Sequence, residues 1–168
     1  TGLDIFDLDR IFIPINPQGD HWVCAVIYMQ RKEIHYHDSM GDDGMVNLRY
    51  IYQYIQDEHQ DKKKAPMSDA HQWILVPGTN ETTPLQQNGT LFIFHLYFSS
   101  RLDFDYLLTH FLYRFINSLE CNITGYDCGV FTCMVADFLS KGCSLEFDQS
   151  HITRYARERI TLAILNGS

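Results

Sequence analysis

A chain of 168 residues has the length of one domain. Hydrophobic residues at 45% are enough to fill a core, which excludes a disordered polyelectrolyte. Thirteen Lys and Arg against 21 Asp and Glu give a net charge of −8, a surface that repels phosphate backbones, so no nucleic-acid partner is expected.

Residues 10–16 (RIFIPIN) and 22–29 (WVCAVIYM) are β-branched and aromatic runs around Pro17-Gln18-Gly19-Asp20, which predicts two strands and a turn. Residues 33–38 (EIHYHD) alternate as a third strand and stop at Ser39-Met40-Gly41. Met45, Leu48, Ile51, Tyr52 and Ile55 follow helical spacing up to a charged stretch at 56–64. That stretch ends in Lys62-Lys63-Lys64, a solvated loop or helix end rather than a localisation signal. Residues 73–76 form a short strand before Pro77-Gly78.

Val130, Phe131, Met134, Val135, Phe138 and Leu139 mark one face of a helix stopped by Gly142. Ile152, Tyr155, Ala156, Ile160, Ala163 and Ile164 mark the apolar face of a last one. Strands first with helices around them predict an α+β domain. The longest apolar run, near 91–98, falls far short of the ~20 residues that span a bilayer, so no membrane is expected. Five cysteines, an odd number without framework spacing, predict a reducing compartment and mostly buried thiols. The start at Thr1, on a strand-like segment, suggests a domain cut from a longer chain.

Residues 90–125 stand apart. A quarter of them are Phe, Tyr or Trp against 14% for the whole chain, and they contain no lysine. Periodicity makes 102–119 a helix, equally well read as an ordinary core helix.

His21, Asp38 and Cys128 could carry chemistry. A cysteine nucleophile needs a base to ionise it and a third group to fix the imidazole tautomer. His21 opens one predicted strand and Asp38 closes the next but one, so the two ends can meet. Cys128 precedes Gly129 at the start of a predicted helix, where the helix dipole and free N–H groups favour a thiolate and an oxyanion.

The wording around these residues is specific. Asp20-His21-Trp22, then Tyr36-His37-Asp38-Ser39-Met40-Gly41, then Asp127-Cys128-Gly129-Val130-Phe131 resemble the His, Asp and Cys boxes of the SUMO (sentrin)-specific cysteine proteases. Phe12-Ile13-Pro14-Ile15-Asn16, Trp73 and the final helix extend the resemblance over nearly all of the chain outside 90–125. The resemblance implies a papain-like cysteine protease fold spanning 1–168, with a central mixed sheet flanked by helices, the nucleophile at a helix N-terminus and part of the family domain missing before Phe12. It implies that Cys128 attacks the carbonyl of the modifier's C-terminal glycine, that His21 is the base and acid, and that Asp38 orients it. Trp22 would form a wall of the narrow Gly-Gly tunnel. SUMO and SUMO-conjugated proteins are the implied partners, with no cofactor and no metal. A monomer is expected, resident in the nucleus, with the cytoplasm as a second location.

The family writes its oxyanion glutamine six residues before the nucleophile, where this chain has Asn122. Yet Gln86-Gln87-Asn88-Gly89 reads as the first half of that motif, and removing 90–125 joins it to Tyr126-Asp127-Cys128-Gly129 in register. Residues 90–125 therefore read as an insertion, such as a translated intron or a lineage-specific segment. Gln86 is then the oxyanion donor, or Asn122 if the insertion is real and Gln86 does not reach. Two other readings compete. Zinc could use His21, Cys24, His35 and His37, but no paired Cys spacing accompanies them and a solvated strand face explains the histidines. A catalytically impaired SUMO-binding module is the other, favoured by the displaced Gln86 and opposed by the intact His21, Asp38 and Cys128.

Overall fold

The computed structural model describes residues 4–17, 19, 21–86 and 127–166. Residues 90–125, with Asn122 and the helix expected at 102–119, lie outside the described residues.

Four strands form one sheet in the order β1 (Arg10–Ile15), β2 (Val23–Tyr28), β3 (Glu33–His37), β4 (Ile74–Val76). The first three pair antiparallel, with Pro14 opposite Cys24 and Cys24 opposite His37. Pro14 has no N–H to give, and β1 lies at the sheet edge, where such a residue is tolerated. β4 pairs parallel to β3, so the chain crosses over between them through α1 (Met45–Lys63). The sheet is mixed, as the family resemblance implies.

β2 is buried from Val23 to Ile27 because both of its faces are covered. Val23, Ala25 and Ile27 face one core with Ile34, Tyr36 and the α1 residues Leu48, Ile51 and Ile55. Cys24 and Val26 face a second core with Phe131, Met134 and Val135 of α2 (Cys128–Ser140) and with Ile152 and Ala156. The latter two belong to a C-terminal helical segment made of α3 (Gln149–His151), a π-helical stretch (Ile152–Ala156) and α4 (Arg157–Asn166). Among the described residues no helix is long and apolar enough to cross a membrane.

Two expectations shift. The charged stretch 56–63 continues α1, and its end is held by Lys62–Glu58 at 3.0 Å and Lys63–Asp4 at 2.5 Å. Tyr155, expected on the apolar face of the last helix, is exposed, because the wider π turns change the angular phase there.

Gly44 enters α1 with φ of 64°, and a Cβ there would meet the Tyr36 ring at 2.2 Å. Both the left-handed backbone and the contact require glycine. Gly44→Ala is expected to lower stability by about 3 kcal/mol, read from urea unfolding of the two proteins.

Candidate active site

The turn after β3 is built around one carboxylate. Asp38 Oδ1 accepts from the Met40 N–H at 2.6 Å, and Gly41 closes the turn by donating its N–H to the Asp38 carbonyl at 3.1 Å. The antiparallel register carries the start of β2 past this turn. His21 Nε2 reaches the same Asp38 Oδ1 at 2.6 Å, and the Asp38 side chain is only 2% exposed.

An ionised carboxylate can only accept, so the proton of that bond sits on His21 Nε2. His21 Nδ1 is then the lone-pair nitrogen. It is buried, and no hydrogen-bond partner meets it. The ring is oriented at one end and open to take a proton at the other.

Cys128 is the first residue of α2, 3% exposed, where the first-turn N–H groups lack intrahelical partners. Packing of Phe131, Met134 and Val135 on Cys24 and Val26 brings this helix end to the start of β2. There Cys128, Gly129 and Val130 line a cleft of about 570 Å³ with Gly19 and Trp22, the described residues flanking His21. Trp22 is 43% exposed, and a Cβ on Gly129 would lie 3.7 Å from its Cδ1, so the indole stands against the turn that starts α2.

Gln86 is drawn to the same region. Its N–H donates to the Ser39 carbonyl at 2.8 Å, and its Oε1 accepts from the Ser39 hydroxyl at 3.2 Å. Ser39 thus takes the oxygen end of the amide, and the nitrogen end is the donor.

The thiols differ. Burial pushes Cys24 up to about 12, an inert core group. Cys133 and Cys143 are exposed, so the expectation of mostly buried thiols fails for two of the four described cysteines. Cys133 follows α2 round to its open side, and Cys143 lies just past the helix end.

His37 also departs from expectation. It is 6% exposed rather than solvated, because β3 is an interior strand and Thr83 covers the ring, its hydroxyl 2.9 Å from Nδ1. Burial, with His35 beside it, pushes His37 down to about 4. The unfolded chain binds this proton below about 6.5, whereas the folded one refuses it until about 4. This contribution is therefore complete above pH 6.5, falls by about 3 kcal/mol as pH drops through that window, and is flat below it. Urea midpoints from pH 7 to 4 should show this slope, and His37→Gln should flatten it. Among the described residues no three His, Cys, Asp or Glu gather as a metal site.

The family model of the Ulp1 protease family, C-terminal catalytic domain, matches residues 1–90 and 94–163. The chain belongs to that family. Members similar to this Ulp1-family chain include the Sentrin-specific protease of Caenorhabditis elegans, 27% identical over 98% of the chain and 18% of the relative. Another is the Ubiquitin-like-specific protease ESD4 of Arabidopsis thaliana, 29% identical over 98% of the chain and 25% of the relative. The chain thus spans a quarter or less of these two relatives. A solved Ulp1 protease domain in complex with Smt3, the yeast ortholog of SUMO, shares the fold: TM-score 0.60, 23% identity, over 98% of this chain and 55% of that one.

One part of this Ulp1-family site escapes sequence reading. Asp127, next to Cys128, is held by Gln149 Nε2 at 2.8 Å and Arg157 Nη2 at 2.5 Å. The available signal is that Gln149 and Arg157 share a helical face with Ile152, Ala156 and Ile160, where polar residues are out of place.

Proposed function

We propose that the chain is a SUMO-directed cysteine peptidase, with His21, Asp38 and Cys128 as its catalytic residues. The observation that carries this reading is the 2.6 Å His21–Asp38 bond, which leaves a buried Nδ1 without a hydrogen-bond partner on the residue between Gly19 and Trp22, two residues that line the cleft with Cys128. His21 Nδ1 takes the thiol proton, and Cys128 Sγ bonds to the carbonyl carbon of the modifier's C-terminal glycine. The oxyanion is met by first-turn N–H groups of α2 and by the Gln86 amide. The C–N bond breaks as the imidazolium protonates the leaving lysine amine, giving a thioester. Water, deprotonated by His21, then releases the free carboxylate and the thiol. Trp22 walls the cleft, in the place where the family resemblance puts a wall of the Gly-Gly tunnel. No cofactor enters these steps.

Family membership supports SUMO over other modifiers, since relatives carry sentrin in their names and a solved one holds Smt3. Nuclear residence belongs to the same proposal. The test is hydrolysis of a fluorogenic C-terminal amide of SUMO beside that of ubiquitin, with turnover expected for SUMO. Binding of SUMO without turnover would favour the impaired binding module. Residues 90–125 separate Gln86 from Cys128 in sequence, and the insertion reading predicts that a chain lacking them keeps or gains activity in this assay.

A further inference from the structure

Asp127 stands at the N-cap of α2, where an aspartate ordinarily turns its carboxylate onto the N–H groups of the first turn. Here it makes no side-chain cap bond. Both oxygens face the C-terminal helical segment instead, Oδ1 toward Arg157 and Oδ2 toward Gln149. The Asp127 side chain is 11% exposed, so solvent screens its charge little, and Arg157 lines the cleft with Cys128.

We propose, resting on the peptidase reading above, that Arg157 is a positioning residue that holds the Asp127 carboxylate off the N-terminus of α2. Released, that carboxylate is in reach of the Gly129 and Val130 N–H groups, the usual targets of an N-cap side chain. It would then occupy oxyanion donors and set an unpaired negative charge beside the thiol. Both effects oppose catalysis, one in the transition state and the other by disfavouring the thiolate. Gln149 is the second point of the clamp. The charged and titratable groups at this cleft are Arg157 of the C-terminal segment and Cys133 of α2, which line it with Cys128, and Asp127 in the preceding turn; His21, bonded to Asp38, lies in sequence between the lining residues Gly19 and Trp22.

The test is the pH dependence of Cys128 alkylation by iodoacetamide in the full chain, located by peptide mapping, beside kcat and KM on the SUMO amide. Arg157→Ala should move the alkylation midpoint up by about one pH unit and lower kcat about tenfold at constant KM. Arg157→Lys, which keeps the charge, should recover most of both. With Asp127→Ala already in place, adding Arg157→Ala should change neither reading, because no carboxylate remains to be held. Arg159→Ala, which removes a charge from the same helix 3.6 Å from Asp137, should match the unaltered chain. The proposal is overturned if Arg157→Ala titrates like the unaltered chain, or if the double variant loses as much again as the single one. Should Arg157→Ala fail to fold, Arg157→Lys and the double variant carry the same comparison. Alkylation needs no SUMO, so a shifted midpoint without SUMO hydrolysis would uphold the clamp and remove the peptidase reading.

Discussion

Cys128→Ser is expected to lower kcat on a SUMO C-terminal amide by about 10⁶-fold while leaving SUMO binding intact. The change replaces one atom in a 3%-exposed position at the start of α2, so packing is nearly preserved. What is lost is the nucleophile, since a hydroxyl is far harder to ionise than a thiol. Cys133→Ser and Cys143→Ser, on exposed thiols, should change kcat less than about twofold. Progress curves for the three variants check this.

Asp38 should separate geometry from charge. Asp38→Ala removes both the acceptor of the His21 Nε2 proton and the partner of the Met40 N–H, and kcat should fall about 10⁴-fold. Asp38→Asn should cost less, about 10²-fold. The reason lies in one atom: Oδ1 accepts both bonds, and an asparagine carbonyl oxygen in the same place can still accept both. The tautomer then survives and only the ionic stabilisation of the imidazolium is lost. Equal losses for the two variants would mean that charge alone matters. The comparison is made on kcat at saturating SUMO amide, with urea unfolding to confirm that each variant folds.

Much of this was legible from residues close together in sequence. The run from Trp22 to Met29 announced a strand, and β2 is that strand, while its burial on both faces emerges only from the packing. His21 and Asp38 could be expected to meet because each lies at an element end and the β2–β3 register brings those two ends together. What escaped depends on contacts that cross the fold. His37 looked solvated because β4, which makes β3 an interior strand, is only three residues long. Tyr155 was misassigned because a π-helical stretch has the same residues as an α-helix and a different phase. The Asp127–Arg157 pair spans 30 residues and joins two helices, and only tertiary packing shows that the aspartate turns away from its own helix.

The most direct measurement is intact mass after mixing the chain with a SUMO probe bearing a C-terminal vinyl sulfone, followed by peptide mapping of the adduct. One probe per chain, bonded to Cys128 and absent from Cys128→Ser, is the expected result. An adduct on Cys133, which shares the cleft with Cys128, would show a reactive thiol without a catalytic one. That outcome, or no adduct on a folded chain, would contradict the assignment of His21, Asp38 and Cys128 as a working peptidase site.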